Sequence, residues 1–119
     1  MLKKKFKLAK QKDIERVQKT GESFFTPLFV IKKYKHAEMQ DSRFAVVVSN
    51  KIHKNATKRN RLRRVIFGYI EKNFSHIKPN YDVIISTSRK CFDATGKQLQ
   101  RKALIETLAF GLNKSRLIN

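Results

Sequence analysis

The sequence predicts a small single domain that mixes helices with a β-sheet, and three observations carry that prediction. The run "RFAVVVS" (43–49) is β-branched and apolar on both faces, the composition of a strand covered on both sides and hence central to its sheet. The run "YDVIISTS" (81–88) is a second strong strand. Between them Leu62, Val65, Ile66, Tyr69 and Ile70 fall at i, i+3, i+4, i+7 and i+8, a full apolar stripe of one helix. With 119 residues, 40% of them apolar, the chain can bury a real core and is too apolar to be disordered throughout. Residues 1–119 read as one domain, with no internal repeat or low-complexity tract.

Taken in order, residues 1–12 form a basic arm, with Lys3, Lys4, Lys5, Lys7, Lys10 and Lys12 around Phe6 and Leu8. A short helix is expected at about 12–20: Asp13 and Glu15 suit its first turn, Ile14 and Val17 share a face, and Gly21 suits its stop. "FFTPLFVIKKY" (24–34) is β-rich but interrupted by Pro27, so it reads as two short pieces or an edge strand. The polar stretch "KHAEMQDS" then turns the chain into strand 43–49. The striped helix follows Ala56 and ends at "NFSHIKPN". After strand 81–88, "RKCFDATG" reads as loop, and a last helix is expected from about 97 to 113, with Leu104, Ile105, Leu108 and Leu112 inward.

Charge narrows the function. The formal net charge is +19, far beyond what solubility alone favours, and points to a polyanion. Seven of the fourteen residues in "KIHKNATKRNRLRR" (51–64) are Lys or Arg, and no acidic residue occurs from Ser42 to Ile70. No apolar run approaches the roughly eighteen residues of a spanning helix. The basic N-terminus lacks the apolar stretch of a signal peptide. A lone cysteine, Cys91, permits no internal disulfide. We therefore expect a cytoplasmic protein with no membrane partner.

With the stripe of the second helix inward, Thr57, Asn60, Arg61 and Arg64 point away from the core, flanked by Arg59 and Arg63. Guanidinium forks engage phosphate oxygens bidentately and stack on bases. Asn60 adds an amide able to donate and accept. Lys51, His53 and Lys54 extend the patch ahead of the helix. Cations near a helix N-terminus oppose its dipole, so filler is a poor account of them, although an ordinary solvated face is the blander reading. A DNA-reading helix pair is unsupported, because a strand precedes this helix. A mixed sheet, aromatics and basic loops suit RNA. Residue-level reading stops at a small α/β RNA-binding protein, with a ribosomal or other structural RNA-binding role as an alternative.

"Arg59-Asn60-Arg61-Leu62-Arg63-Arg64", following "RFAVVVSNKIHKNA", resembles the RNR signature of the bacterial ribonuclease P protein subunit. The opening "FKLAKQKDIERVQKTGESF" and the late "YDVIISTSRK" extend the resemblance over nearly the whole chain. It implies an α+β domain of order α-β-β-β-α-β-α with a central mixed sheet and a left-handed βαβ crossover, the ribosomal protein S5 domain 2-like fold. General chirality rules would favour the right-handed connection. The resemblance further implies that Lys51, His53, Lys54, Lys58, Arg59, Asn60, Arg61, Arg63 and Arg64 face the catalytic RNA of ribonuclease P. A cleft between the first helix and the sheet would take the 5′ leader of precursor tRNA, lined by Phe6, Lys7, Ile14, Val17, Gln18, Phe29 and Lys32. Family members commonly carry aromatics where this chain has Ile14 and Gln18, and often Tyr where it has Lys32. Catalysis would be Mg²⁺-dependent endonucleolytic hydrolysis with the ion held mainly by the RNA. No protein partner is expected.

The residues themselves suggest no nuclease chemistry. A protein-only nuclease needs clustered carboxylates or histidines, whereas the nine acidic residues here are scattered and unpaired on any predicted face. His36, His53 and His76 read as loop or near-loop surface histidines, of which only His53 stands in the basic patch. Cys91 reads as a partly buried thiol at a strand end. Phe67 falls toward the exposed side of its helix, either stacked on RNA or packed against a neighbouring loop. We therefore expect no catalytic residue and no metal ligand in the chain.

Overall fold

A computed structural model describes residues 3–37 and 40–118. Its elements are α1 (Gln11–Thr20), β1 (Glu22–Phe25), β2 (Phe29–Lys35), β3 (Arg43–Val47), α2 (Ala56–Lys72), β4 (Tyr81–Thr87) and α3 (Arg101–Lys114), with single 3-10 turns at Lys4–Phe6, Phe74–His76 and Arg89–Cys91. This is the α+β order that the resemblance implies. Glu38 and Met39 of the expected turn, and residues 1 and 2 of the arm, lie outside the described residues.

The sheet runs β1-β2-β4-β3, antiparallel except for the parallel β3/β4 pair. Pro27 splits the 24–34 segment into two strands joined by a tight turn. Thr26 closes it, its N–H donating to the Phe29 carbonyl at 2.8 Å and its hydroxyl oxygen accepting the Phe29 N–H at 2.8 Å. The expectation that 43–49 is central is corrected: β2 and β4 are the inner strands, and β3 is an edge. The N-terminal arm lies along part of that edge and brings Leu8 against Ala45, while Val47 stays exposed. The Leu8 N–H donates to the Phe44 carbonyl at 2.8 Å, and Lys7 bridges Phe44 in parallel.

Two helices cover one face of the sheet. Leu62, Ile66 and Ile70 of α2 and Leu104, Leu108 and Leu112 of α3 bury against Phe29, Ile31, Phe44, Val46, Val83 and Ile85. Gly111 lets α3 approach, because a Cβ there would lie 2.6 Å from Ile31 Cδ1. Ser115, after the last turn of α3, receives the Lys33 ammonium on its carbonyl at 2.6 Å, a cation at a helix C-terminus. Residues 97–100 are not helical as expected; Gln98 instead bridges Phe92 as extended chain.

The opposite face carries α1, which packs Val17 and Ile14 with Leu8 of the arm against Ile84, Tyr34 and Ala45. Gly21 follows α1, but in extended rather than left-handed geometry. Glycine is needed there for room: a Cβ would run into the Val17 carbonyl oxygen and lie 3.0 Å from that of Lys33. Among the described residues, no helix is long and apolar enough to cross a membrane.

Candidate nucleic-acid interface

The basic face is built by α2 and the connector 48–55 that leads into it. Asn55 caps the helix, its Oδ1 accepting the N–H groups of Thr57 (2.9 Å) and Lys58 (3.3 Å). That cap satisfies two amides which no acidic side chain of the first turn could serve. Thr57, Asn60, Arg61 and Arg64 are exposed, as the helical wheel predicts, and Arg59 and Arg63 are half-buried at their flanks.

Four predicted contacts, Arg59, Asn60, Arg63 and His53, are partly engaged inside the protein. The Arg59 guanidinium donates through Nη1 to the carbonyls of His53 (2.7 Å) and Lys54 (3.0 Å). Arg63 donates to Asn60 Oδ1 (2.7 Å) and to the Val48 carbonyl (3.3 Å), so the Asn60 oxygen already has a donor. His53 is a correction: it is no open surface histidine but packs its ring on Phe92, with centroids 4.7 Å apart. Its Nδ1 accepts the Asn55 N–H at 3.0 Å, and its Nε2 faces the Gly96 carbonyl at 3.1 Å. Lys51, Lys54, Arg61 and Arg64 remain exposed.

On the α1 side the structure divides the expected cleft residues. Ile14 packs in the cluster under α1, Lys32 pairs with Ile84 and so shares that face of the sheet, and Gln18 of α1 is exposed. Val17 is wholly buried under the helix. Phe29 is a correction, because strand alternation turns it to the α2–α3 side, where it is 1% exposed. Phe6 leaves this face too, its ring 4.2 Å from that of Phe74. The Lys7 ammonium lies 5.4 Å from the Phe67 ring centroid. Phe67, expected toward the exposed side of its helix, is a correction: it is buried in the core with the arm's Lys7 over its ring.

An open row that the sequence reading missed completes this face. Register aligns Phe25, Val30, Ser86 and Val47 across all four strands, and paired residues share a face. The cluster buried by α1 stops one row short, at Ile84 and Ala45. Phe25 is left 64% exposed and Val47 39%, with Val30 and Ser86 half-buried. The row ends at Val47, directly before the basic connector. Only cross-strand register reveals it, and no local sequence pattern encodes that register.

Beside this face a buried ion cluster fixes α1. Asp82 is fully buried and accepts both Arg43 Nε (2.9 Å) and Nη2 (2.8 Å), with His36 Nε2 at 2.7 Å. Arg43 Nη1 reaches Asp13 of α1 at 3.3 Å, and Asp13 also meets Arg16 at 3.5 Å. The hydrogen bond to Asp82 raises the Arg43 pKa above its usual value. His36, expected at the surface, thus belongs to a polar core. The carboxylates that do converge are already matched by cations, and no group of three or more His, Cys, Asp or Glu side chains among the described residues could hold a metal.

A mixed sheet with helices on both faces, a cationic helix at one end and an open apolar row define a small, strongly basic α+β protein whose surface suits a polyanion. Comparison with known proteins narrows this. A sequence model of the Ribonuclease P family matches residues 2–109. The ribonuclease P protein component of Listeria innocua is 32% identical over 110 residues, which cover 92% of this chain and 91% of that one. By structure, a Staphylococcus aureus RNase P protein mutant with defective mRNA degradation activity superposes with TM-score 0.86 at 24% identity, over 97% of this chain and 92% of the other. The Thermotoga maritima RNase P protein gives 0.79 at 24% identity, over 91% and 96%. The chain belongs to the ribonuclease P protein family. Membership implies a role in tRNA 5′ maturation within the ribonuclease P holoenzyme, and with it an RNA partner.

Proposed function

We propose that this chain binds the catalytic RNA of ribonuclease P through the outer face of α2 and holds the 5′ leader of precursor tRNA along the open row beside α1. It thereby promotes Mg²⁺-dependent endonucleolytic removal of the leader. The RNA carries the chemistry and most of the Mg²⁺, and the protein contributes charge and position. The observation that carries this reading is the joining of the two surfaces at Val47: a strand that ends an open apolar row leads straight into the cationic connector. Lysine and arginine side chains there neutralise phosphates, which lowers the counterion and Mg²⁺ demand of docking two polyanions. Phe25, Val30 and Val47 offer stacking and apolar contact to unpaired bases. Lys32, one row in, supplies an ammonium for the backbone.

The test is reconstitution with a transcribed bacterial ribonuclease P RNA and a leader-bearing precursor tRNA at low Mg²⁺. The chain should raise the cleavage rate. Combined Arg61→Ala and Arg64→Ala should weaken assembly by orders of magnitude at physiological salt. Phe25→Ala with Val47→Ser should weaken binding of leader-bearing substrate while leaving mature tRNA binding unchanged. Capture of ribosomal RNA from cells, without ribonuclease P RNA or tRNA precursors, would overturn the proposal in favour of a structural RNA-binding role.

A further inference from the structure

We infer that Arg59 and Arg63 are positioning residues: they clamp the connector 48–55 in the shape that presents Lys51, Lys54, Arg61 and Arg64 to RNA. The inference rests on the RNA-facing role of α2 proposed above and divides the basic segment into two jobs. The connector belongs to neither β3 nor α2; Ser49 receives the Ile52 N–H on its carbonyl and Asn55 the Arg59 N–H, and side chains of α2 supply donors to three more of its carbonyls. Arg63 supplies one at its start, on the Val48 carbonyl. Arg59 supplies two at its end, on the carbonyls of His53 and Lys54. Arg59 and Arg63 are half-buried residues, whereas Arg61 and Arg64 are exposed and have no partner among the described residues.

A second attachment runs through His53. Its ring sits on Phe92, its Nδ1 accepts from Asn55, and its Nε2 faces Gly96 in the turn after β4. The connector is thus pinned from α2 on one side and from the 92–96 segment on the other. Lys51 and Lys54 lie between these pins. Holding two flexible lysines on a fixed backbone removes part of the ordering cost that RNA binding would otherwise meet. The geometry also needs arginine in particular. Arg59 reaches both carbonyls through one nitrogen, Nη1, held in the plane of its guanidinium, and Arg63 divides its bonds between Nη1 and Nη2; a lysine ammonium on a flexible stem is organised for neither.

Salt-dependent affinity separates the two jobs. The probe is a transcribed bacterial ribonuclease P RNA, titrated with the full chain across a salt series. Arg61→Ala and Arg64→Ala should each lower the log–log slope by roughly 0.7–0.9, one phosphate contact apiece. Arg59→Ala and Arg63→Ala should weaken binding about ten-fold with the slope unchanged. Arg59→Lys and Arg63→Lys should bind no better than the alanine variants, since charge is kept but the clamp is lost. Amide hydrogen exchange of the free protein should quicken over 50–55 in all four clamp variants while the α2 core stays protected, which also confirms that they fold. Recovery of wild-type affinity by Arg59→Lys, or a slope loss in Arg59→Ala equal to that of Arg61→Ala, would make Arg59 a direct phosphate contact and overturn the inference. A wild-type affinity indifferent to salt would remove the RNA-facing reading itself, a result distinguishable from either.

Discussion

Burial pushes the Cys91 thiol up to about 11, because the thiolate would have to form in the apolar core beneath the Leu28 carbonyl. Read from sequence, this residue is a partly buried group at a strand end; in the fold it is fully buried in the turn Arg89–Cys91. Both shielding and protonation oppose reaction. We predict that maleimide leaves native Cys91 unlabelled at neutral pH and labels it at the rate of unfolding. Rapid labelling of the native protein would contradict that placement. Lys33 makes the complementary case of a buried cation. Desolvation, its largest perturbation, lowers its pKa below 10.5 despite the attraction of Glu22. The folded state therefore releases this proton more readily than the unfolded chain. The cost of the buried charge is present below the folded pKa and relieved as pH climbs through it toward 10.5. The Tm difference between wild type and Lys33→Met should thus shift in favour of wild type as pH rises across that window. A pH-independent difference would show that the amine is not desolvated.

Among the elements, α1 is the one whose seat is most polar. It is joined to the sheet by a small apolar cluster and by the Asp13–Arg43–Asp82 chain. Removing one partner of a buried ion pair leaves the other uncompensated, at a cost of roughly 3–5 kcal/mol. Asp82→Ala should therefore lower the urea midpoint strongly, since small domains have only about 5–15 kcal/mol in hand. It should also weaken leader discrimination by loosening the helix beside the open row. An unchanged midpoint would mean that α1 is held by its apolar contacts alone. The α2 helix draws on a different resource. Its apolar stripe fixes orientation, Asn55 fixes its start, and the repulsive charge of its outer face is tolerated because the buried side is deep.

For the whole molecule the dominant physical fact is uncompensated positive charge, +19 in 119 residues. Self-repulsion destabilises the compact state and is relieved by bound or screening anions. Adding sulfate at fixed ionic strength should raise Tm more than chloride does, and equal effects would show that no site concentrates anion. The sequence by itself determined the polyanion partner, the order of helices and strands, the inward stripe of α2 and the outward set Thr57, Asn60, Arg61 and Arg64. These follow from composition and from periodicities of a few residues, which are local quantities. Tertiary structure alone decided that β3 is an edge partly covered by the arm, that Phe29 faces away from α1, and that Phe67 and His53 are covered. It also aligned Phe25, Val30, Ser86 and Val47 in one row and turned Arg59 and Arg63 inward. Each of those outcomes depends on which strands pair, in which register, and which carbonyls lack donors. Those are relations between residues far apart in the chain, and a window of sequence cannot contain them.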